Sequence, residues 1–130
     1  MNVVMDTDVW SFVFKGDTRA DRYLPYLADK TVCVSFQTVA ELYQWAEMRR
    51  WGAKRVAAME DALHNFVVLP YDVTTGRIWG KISAVRYQLG LPMAATDAWI
   101  AACALRYACP LVTHNQDDFV RIEGLTMITR

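Results

Sequence analysis

Val3-Val4-Met5-Asp6-Thr7-Asp8-Val9 decides the fold. An apolar run without alternation reads as a strand buried on both faces, as in a parallel sheet. The run ends on a carboxylate, Asp6. Glu41 lies inside Ser35-Phe36-Gln37-Thr38-Val39-Ala40-Glu41-Leu42, and Asp97 opens Thr96-Asp97-Ala98-Trp99-Ile100-Ala101-Ala102. Asp118 follows the strand-like Pro110-Leu111-Val112-Thr113, in His114-Asn115-Gln116-Asp117-Asp118-Phe119. In an open α/β sheet, strand ends and helix starts on one edge converge on one crevice. Two unit charges about 4 Å apart repel by roughly 4 kcal/mol at an effective dielectric near 20. Gathering four carboxylates there calls for a cation, and Mg²⁺ or Mn²⁺, one or two ions, suits oxygen ligands. The pattern points to metal-assisted chemistry on a phosphate backbone.

Working outward, short strands alternate with helices. Thr31–Val34, Val67–Leu69, Leu111–Thr113 and Thr126–Ile128 read as the other strands. Helices are expected over Thr7–Phe14, stopped at Gly16, and over Asp17–Ala28. Ser35 caps a helix running to Arg50, whose Val39, Leu42, Tyr43 and Ala46 share a face. Ala53–Asn65 follows, then a helix capped by Asp72 and stopped at Gly90, then one capped by Thr96 and reaching Tyr107. This alternation implies right-handed βαβ units and a parallel sheet. No repeat, low-complexity tract or linker interrupts it, so residues 1–130 read as one domain.

Composition narrows the function classes. Lys+Arg and Asp+Glu both number 14, a net charge of zero, which excludes binding of nucleic acid by bulk positive charge alone. The hydrophobic content of 54% is high, and part of that surface is expected to lie in a homodimer. Cys33, Cys103 and Cys109 form no CxxC and read as buried thiols of a reduced, cytoplasmic protein. No apolar run has the length of a membrane span, and Asp6 and Asp8 interrupt the only candidate leader.

The four acidic segments, in order, resemble the motifs of the PIN-domain family, and within it the VapC-type toxin ribonucleases. Met5-Asp6-Thr7-Asp8 is similar to the opening strand that ends in Asp-Thr-Asn/Asp. Ser35 through Glu41 is similar to the strand, Ser/Thr and helical Glu of the second motif. Asp97 with Ile100-Ala101-Ala102 matches the third, and Thr113-His114-Asn115-Gln116-Asp117-Asp118-Phe119 the fourth. Asp8 stands where this family often has Asn, which adds a fifth carboxylate. The resemblance implies a three-layer α/β/α sandwich around a parallel sheet, and Mg²⁺- or Mn²⁺-dependent endoribonuclease activity leaving a 5′-phosphate and a 3′-hydroxyl. It also implies a structured RNA substrate such as tRNA or rRNA (mRNA being a third class), a cognate antitoxin partner and a homodimer.

Each acid also has a bland reading. Asp6 and Asp97 suit helix N-termini. Glu41 lies about two turns into its helix, beyond capping range. Asp118 is preferred to Asp117 because the family resemblance implies an acid directly before Phe119. Asp6, Glu41, Asp97 and Asp118 are thus the candidate catalytic and metal residues, with Asp8, Thr113 and Asn115 as candidates to orient them. Arg49, Arg50, Lys54 and Arg55 around Trp51 form the candidate RNA-binding cluster, against a reading in which Trp51 packs in the core. Arg77, Lys81 and Arg86 are expected on a solvated face, and His114 is expected without a partner.

Two other functions fit parts of the pattern. Asp6 and Asp8 are similar to the Asp-x-Asp opening of haloacid-dehalogenase-like phosphatases, with Asp6 as a covalent nucleophile. A non-catalytic PIN-like binding module is the other, although carboxylates at all four positions count against it.

Overall fold

β1 (Asn2–Met5), β2 (Thr31–Ser35), β3 (Val67–Leu69), β4 (Leu111–Val112) and β5 (Met127–Ile128) form one sheet, parallel throughout, in the order β3-β2-β1-β4-β5. The computed structural model describes all residues, 1–130. β1 is central, and Val3, Val4 and Met5 are fully buried, which explains their unbroken apolar run. Burying one such side chain stabilises by about 1.5–3 kcal/mol.

Helices cover both faces, giving three α/β/α layers. Successive strand residues point to opposite faces. Val3, Met5, Val34 and Val112 meet Val9, Trp10, Leu42, Met59 and Leu63 from α1 (Thr7–Lys15), α3 (Phe36–Met48) and α4 (Ala53–Leu63). Val4, Cys33 and Leu111 meet Ile82, Ile100 and Ala101 from α5 (Val73–Gln88) and α6 (Ala95–Arg106). The cysteines are free and buried, and burial pushes the Cys103 thiol up to about 12.

The strand order positions the functional edge. From β1 the chain steps one way to β2 and β3, and later the other way to β4 and β5. The reversal lies between β1 and β4, where α/β sheets open a crevice beyond the carboxyl ends of their strands. Asp6 follows β1 there and Thr113 follows β4. The Asp6 amide donates to Val112 O at 3.0 Å, which fixes that junction.

Two local expectations differ from the structure. The helix expected over Asp17–Ala28 is a 3₁₀ turn (Thr18–Arg22) followed by the four-residue α2 (Leu24–Leu27). Pro25 has no amide to bond back into the preceding turn, so a continuous helix cannot form through it. Thr96 is not the cap of α6 either: the helix begins at Ala95, Ala94 occupies the cap position, and the Ala98 amide bonds Ala94 O at 3.0 Å. Asp97 remains in the first turn.

Candidate active site

Asp6, Asp8, Glu41, Asp97 and Asp118 line one small polar cleft of about 50 Å³, with Thr7, Asn115, Ile100 and Phe119 completing its wall. Asp117 and Asp118 are both exposed, but only Asp118 lines the cleft, so its wall separates the two neighbouring acids.

Asp6 caps α1 and faces the cleft at once. Its Oδ1 accepts from the Val9 amide at 2.9 Å, and its Oδ2 accepts from Thr113 Oγ1 at 2.6 Å. Each carboxylate oxygen retains a second lone pair. Thr113 Oγ1 also accepts from the Asn115 amide at 3.1 Å, and Asn115 Nδ2 donates to Asp8 Oδ2. The turn after β4 thus holds two carboxylates of the segment after β1.

Glu41 is held by a chain of hydroxyls. Ser35 caps α3, accepting from the Thr38 amide at 3.2 Å, and its hydroxyl lies 3.4 Å from Thr38 Oγ1. Thr38 Oγ1 lies 2.9 Å from Thr7 Oγ1, which donates to Glu41 Oε1 at 3.0 Å. An ionised carboxylate only accepts, so Thr7 must donate to Glu41 and receive from Thr38.

The electrostatics are those of a cluster short of positive charge. Burial pushes Asp6 up to about 7, helped by repulsion from Asp8 and Asp97 and opposed by the bonds from Thr113 and Val9. Burial also pushes Asp97 up to about 6, with Asp118, Glu41 and Asp8 adding to it and Arg86 opposing. Glu41 is raised, first by burial. No three of these carboxylates are drawn together into a finished metal cage. Mg²⁺ does not need one, because it keeps several waters and binds through one or two carboxylates plus substrate phosphates. The hard oxygen donors and their unfavourable charging without a cation fit such an ion.

Three residues take roles that sequence reading missed. Thr7 was read only as part of the Asp-Thr-Asp string, yet it is buried and anchors Glu41. Arg86 is a correction: it is 6% exposed, not solvated, whereas Arg77 and Lys81 are exposed as expected. Its spacing held the signal, since Ile78, Ile82 and Arg86 recur every four residues on one stripe. His114 does have a partner. Its Nδ1 lies 2.6 Å from the hydroxyl of buried Tyr23, which also donates to Arg130 O at 2.9 Å.

At the α3–α4 turn, the Arg49 guanidinium lies 4.9 Å over the Trp45 ring, and that of Arg55 lies 4.3 Å over Trp51. Trp51 is half-buried and stacks toward Phe14, the packed alternative of its two readings. Arg49, Arg50, Lys54 and Arg55 themselves are exposed.

The family model of the PIN domain matches residues 3–125, nearly the whole chain. The chain belongs to the PIN-domain family. Ribonuclease VapC2 of Haemophilus influenzae is 34% identical over 94 residues, covering 72% of this chain and 71% of that protein. The tRNA(fMet)-specific endonuclease VapC of Shigella flexneri is 28% identical over 125 residues, covering 96% and 95%. The solved structure of VapBC-1 from nontypeable Haemophilus influenzae superimposes with a TM-score of 0.86 at 27% identity, over 99% of this chain and 98% of that one. Within this PIN-domain setting the phosphatase alternative is not favoured. No helix is long and apolar enough to cross a membrane.

Proposed function

We propose that this PIN-domain protein is an endoribonuclease that hydrolyses RNA phosphodiester bonds with one or two Mg²⁺ or Mn²⁺ ions held at Asp6, Glu41, Asp97 and Asp118. The observation that carries this is the cleft itself: five carboxylates gathered at the strand-order reversal, where burial first and neighbouring carboxylates second push Asp6 and Asp97 up. When bound, the ion supplies charge stabilisation at the phosphoryl oxygens and an acidified water. The chain's own residues do the rest. Val9 and Thr113 fix the two oxygens of Asp6, and Thr7 fixes one oxygen of Glu41. Glu41, raised by burial, is suited to accept a proton from the attacking water. Asp8 and Asn115 steady each other at the mouth.

The whole of residues 1–130 serves as one nuclease domain in this reading, working in the cytoplasm as the toxin of a toxin–antitoxin pair. The ribonuclease names of the VapC relatives and the VapBC toxin–antitoxin setting of similar structures support it. A cognate antitoxin is the protein partner, and RNA is the substrate, with tRNA the first class to try. Arg49, Arg50, Lys54 and Arg55 bind the phosphate backbone, and two copies form a homodimer.

The test is cleavage of total cellular RNA by purified protein in Mn²⁺ and in EDTA. Cleavage in Mn²⁺ alone is expected. Undiminished cleavage in EDTA rejects the metal, and no cleavage of any RNA rejects the nuclease.

A further inference from the structure

Arg86 is a buried cation without a carboxylate partner. It is 6% exposed, and the ion pairs of the protein are elsewhere, at Arg19–Asp17 and Arg106–Asp72. Its charge is spread over backbone carbonyls instead. Nε donates to Leu91 O at 2.6 Å, and Nη1 donates to Val120 O at 2.9 Å and Asp118 O at 3.3 Å. Burying a cation is costly, and here three backbone carbonyls rather than an opposite charge compensate it. The placement asks for a reason.

The carbonyls belong to two segments that feed the cleft. Leu91 lies in the turn after α5, where Gly90 adopts φ +73 and the Leu91 amide returns to Arg86 O at 2.9 Å. That turn leads into α6, whose first turn carries Asp97. Asp118 and Val120 belong to the acidic turn after β4. One planar guanidinium thus spans both, and Lys could not reproduce that fork. Its charge also acts directly on Asp97, against three carboxylates that push the other way.

We infer that Arg86 is a positioning residue of the nuclease site, clamping the Asp118 turn to the α5–α6 turn so that Asp97 and Asp118 face each other across the cleft. The inference rests on the nuclease reading above. It does not require Arg86 to touch RNA or metal.

The experiment uses Arg86→Lys and Arg86→Met in the full chain. Amide hydrogen exchange is followed in metal-free protein, and cleavage is followed at saturating Mn²⁺. Faster exchange confined to the 116–121 turn is expected in both, with kcat lowered by about tenfold or more and KM for RNA unchanged, since small misplacements near the chemistry cost about that much. Arg86→Lys should lose less than Arg86→Met. A purely structural role predicts a lower Tm with wild-type kcat per folded molecule, and that result overturns the inference. So does wild-type exchange in the 116–121 turn. Where Arg86→Met fails to fold, Arg86→Lys decides by the same two readouts. If wild-type protein cuts no RNA, the nuclease reading fails by itself, and exchange alone then judges the clamp.

Discussion

Thr7 Oγ1 donates to Glu41 Oε1 at 3.0 Å and so ties the first residue of α1 to the middle of α3. It is the last link of a hydroxyl chain that starts at Ser35, and such chains strengthen their members mutually. Thr7→Val keeps the shape and removes the link, leaving Glu41 and Thr38 each short of a partner. A stability loss of about 1–3 kcal/mol is expected from that. A clear fall in kcat is expected with it, while Thr7→Ser stays near wild type in both. A thermal melt beside a single-turnover cleavage assay checks the pair. Wild-type kcat in Thr7→Val would remove Glu41 positioning from the mechanism.

Asp6→Asn and Asp97→Asn are expected to abolish RNA cleavage without unfolding the protein. Asn caps a helix nearly as well as Asp, so the Val9 bond survives in Asp6→Asn, and Thr113 has only to turn its hydroxyl. What disappears is charge at the proposed metal site. If Asp6 served only as a cap, activity would survive. Full cleavage by either variant in Mn²⁺ therefore counts against these residues as ligands.

The same carboxylates set how stability responds to pH. Asp6 at about 7 and Asp97 at about 6 bind protons more tightly in the folded, metal-free chain than their ordinary value of 3.8 in the unfolded one. Between roughly pH 4 and pH 7 the folded state thus holds more protons, so stability falls as pH rises through that window. The contribution is fully present below the unfolded value and gone above the folded one. In EDTA, Tm is expected to drop from pH 5 to pH 8, and excess Mg²⁺ or Mn²⁺ should restore it most at the upper end. Asp6→Asn should flatten the drop. A Tm in EDTA that rises across this range contradicts the buried, repelling cluster.

Much of this was legible in the residues, for stated reasons. Val3-Val4-Met5 shows a doubly buried strand because burial on both faces removes alternation, and the strand sits at the sheet centre. Asp6 and Asp118 could be singled out because βαβ topology sends strand ends to one edge, and Glu41 and Asp97, which lie within helices, because their segments resemble the family motifs. Thr7 and Arg86 were harder. Their roles depend on partners 34 and 32 positions away, the Glu41 carboxylate for Thr7 and the Asp118 backbone carbonyl for Arg86, and local pattern carries no pairing information at that range. The break at Pro25 was readable and was missed, because the apolar spacing of Tyr23, Leu24 and Leu27 outweighed one absent amide.

A homodimer is expected from surface that a single copy leaves uncovered. Phe36 is 55% exposed, Tyr87 77% and Val73 87%, with Leu89 and Leu91 also open. Sedimentation at tens of micromolar should give twice the mass of the chain, a range in which standard-size interfaces are populated. A monomer there argues against the dimer.

Arg50 separates the fold from RNA binding most cleanly. It follows α3 in the left-handed region, with φ 52, and it closes the helix: its amide bonds Glu47 O at 3.2 Å and that of Trp51 bonds Ala46 O at 2.9 Å. Gly is the residue this position favours, because a side chain there costs about 1–2 kcal/mol. Arg50→Gly should therefore raise Tm, unlike most changes at a functional site. Yet Arg50 is also exposed and charged beside Arg49, Lys54 and Arg55. If it contacts phosphate, KM for RNA should rise, and the slope of log affinity against log salt should shrink by about 0.7, the value of one single-strand phosphate contact. kcat should hold, since the end of α3 at Met48 already lies about 10 Å along the helix axis from Glu41 at 1.5 Å per residue, and Arg50 lies beyond it. A stabilised variant with unchanged KM and salt slope would leave the basic turn as a helix terminus and nothing more.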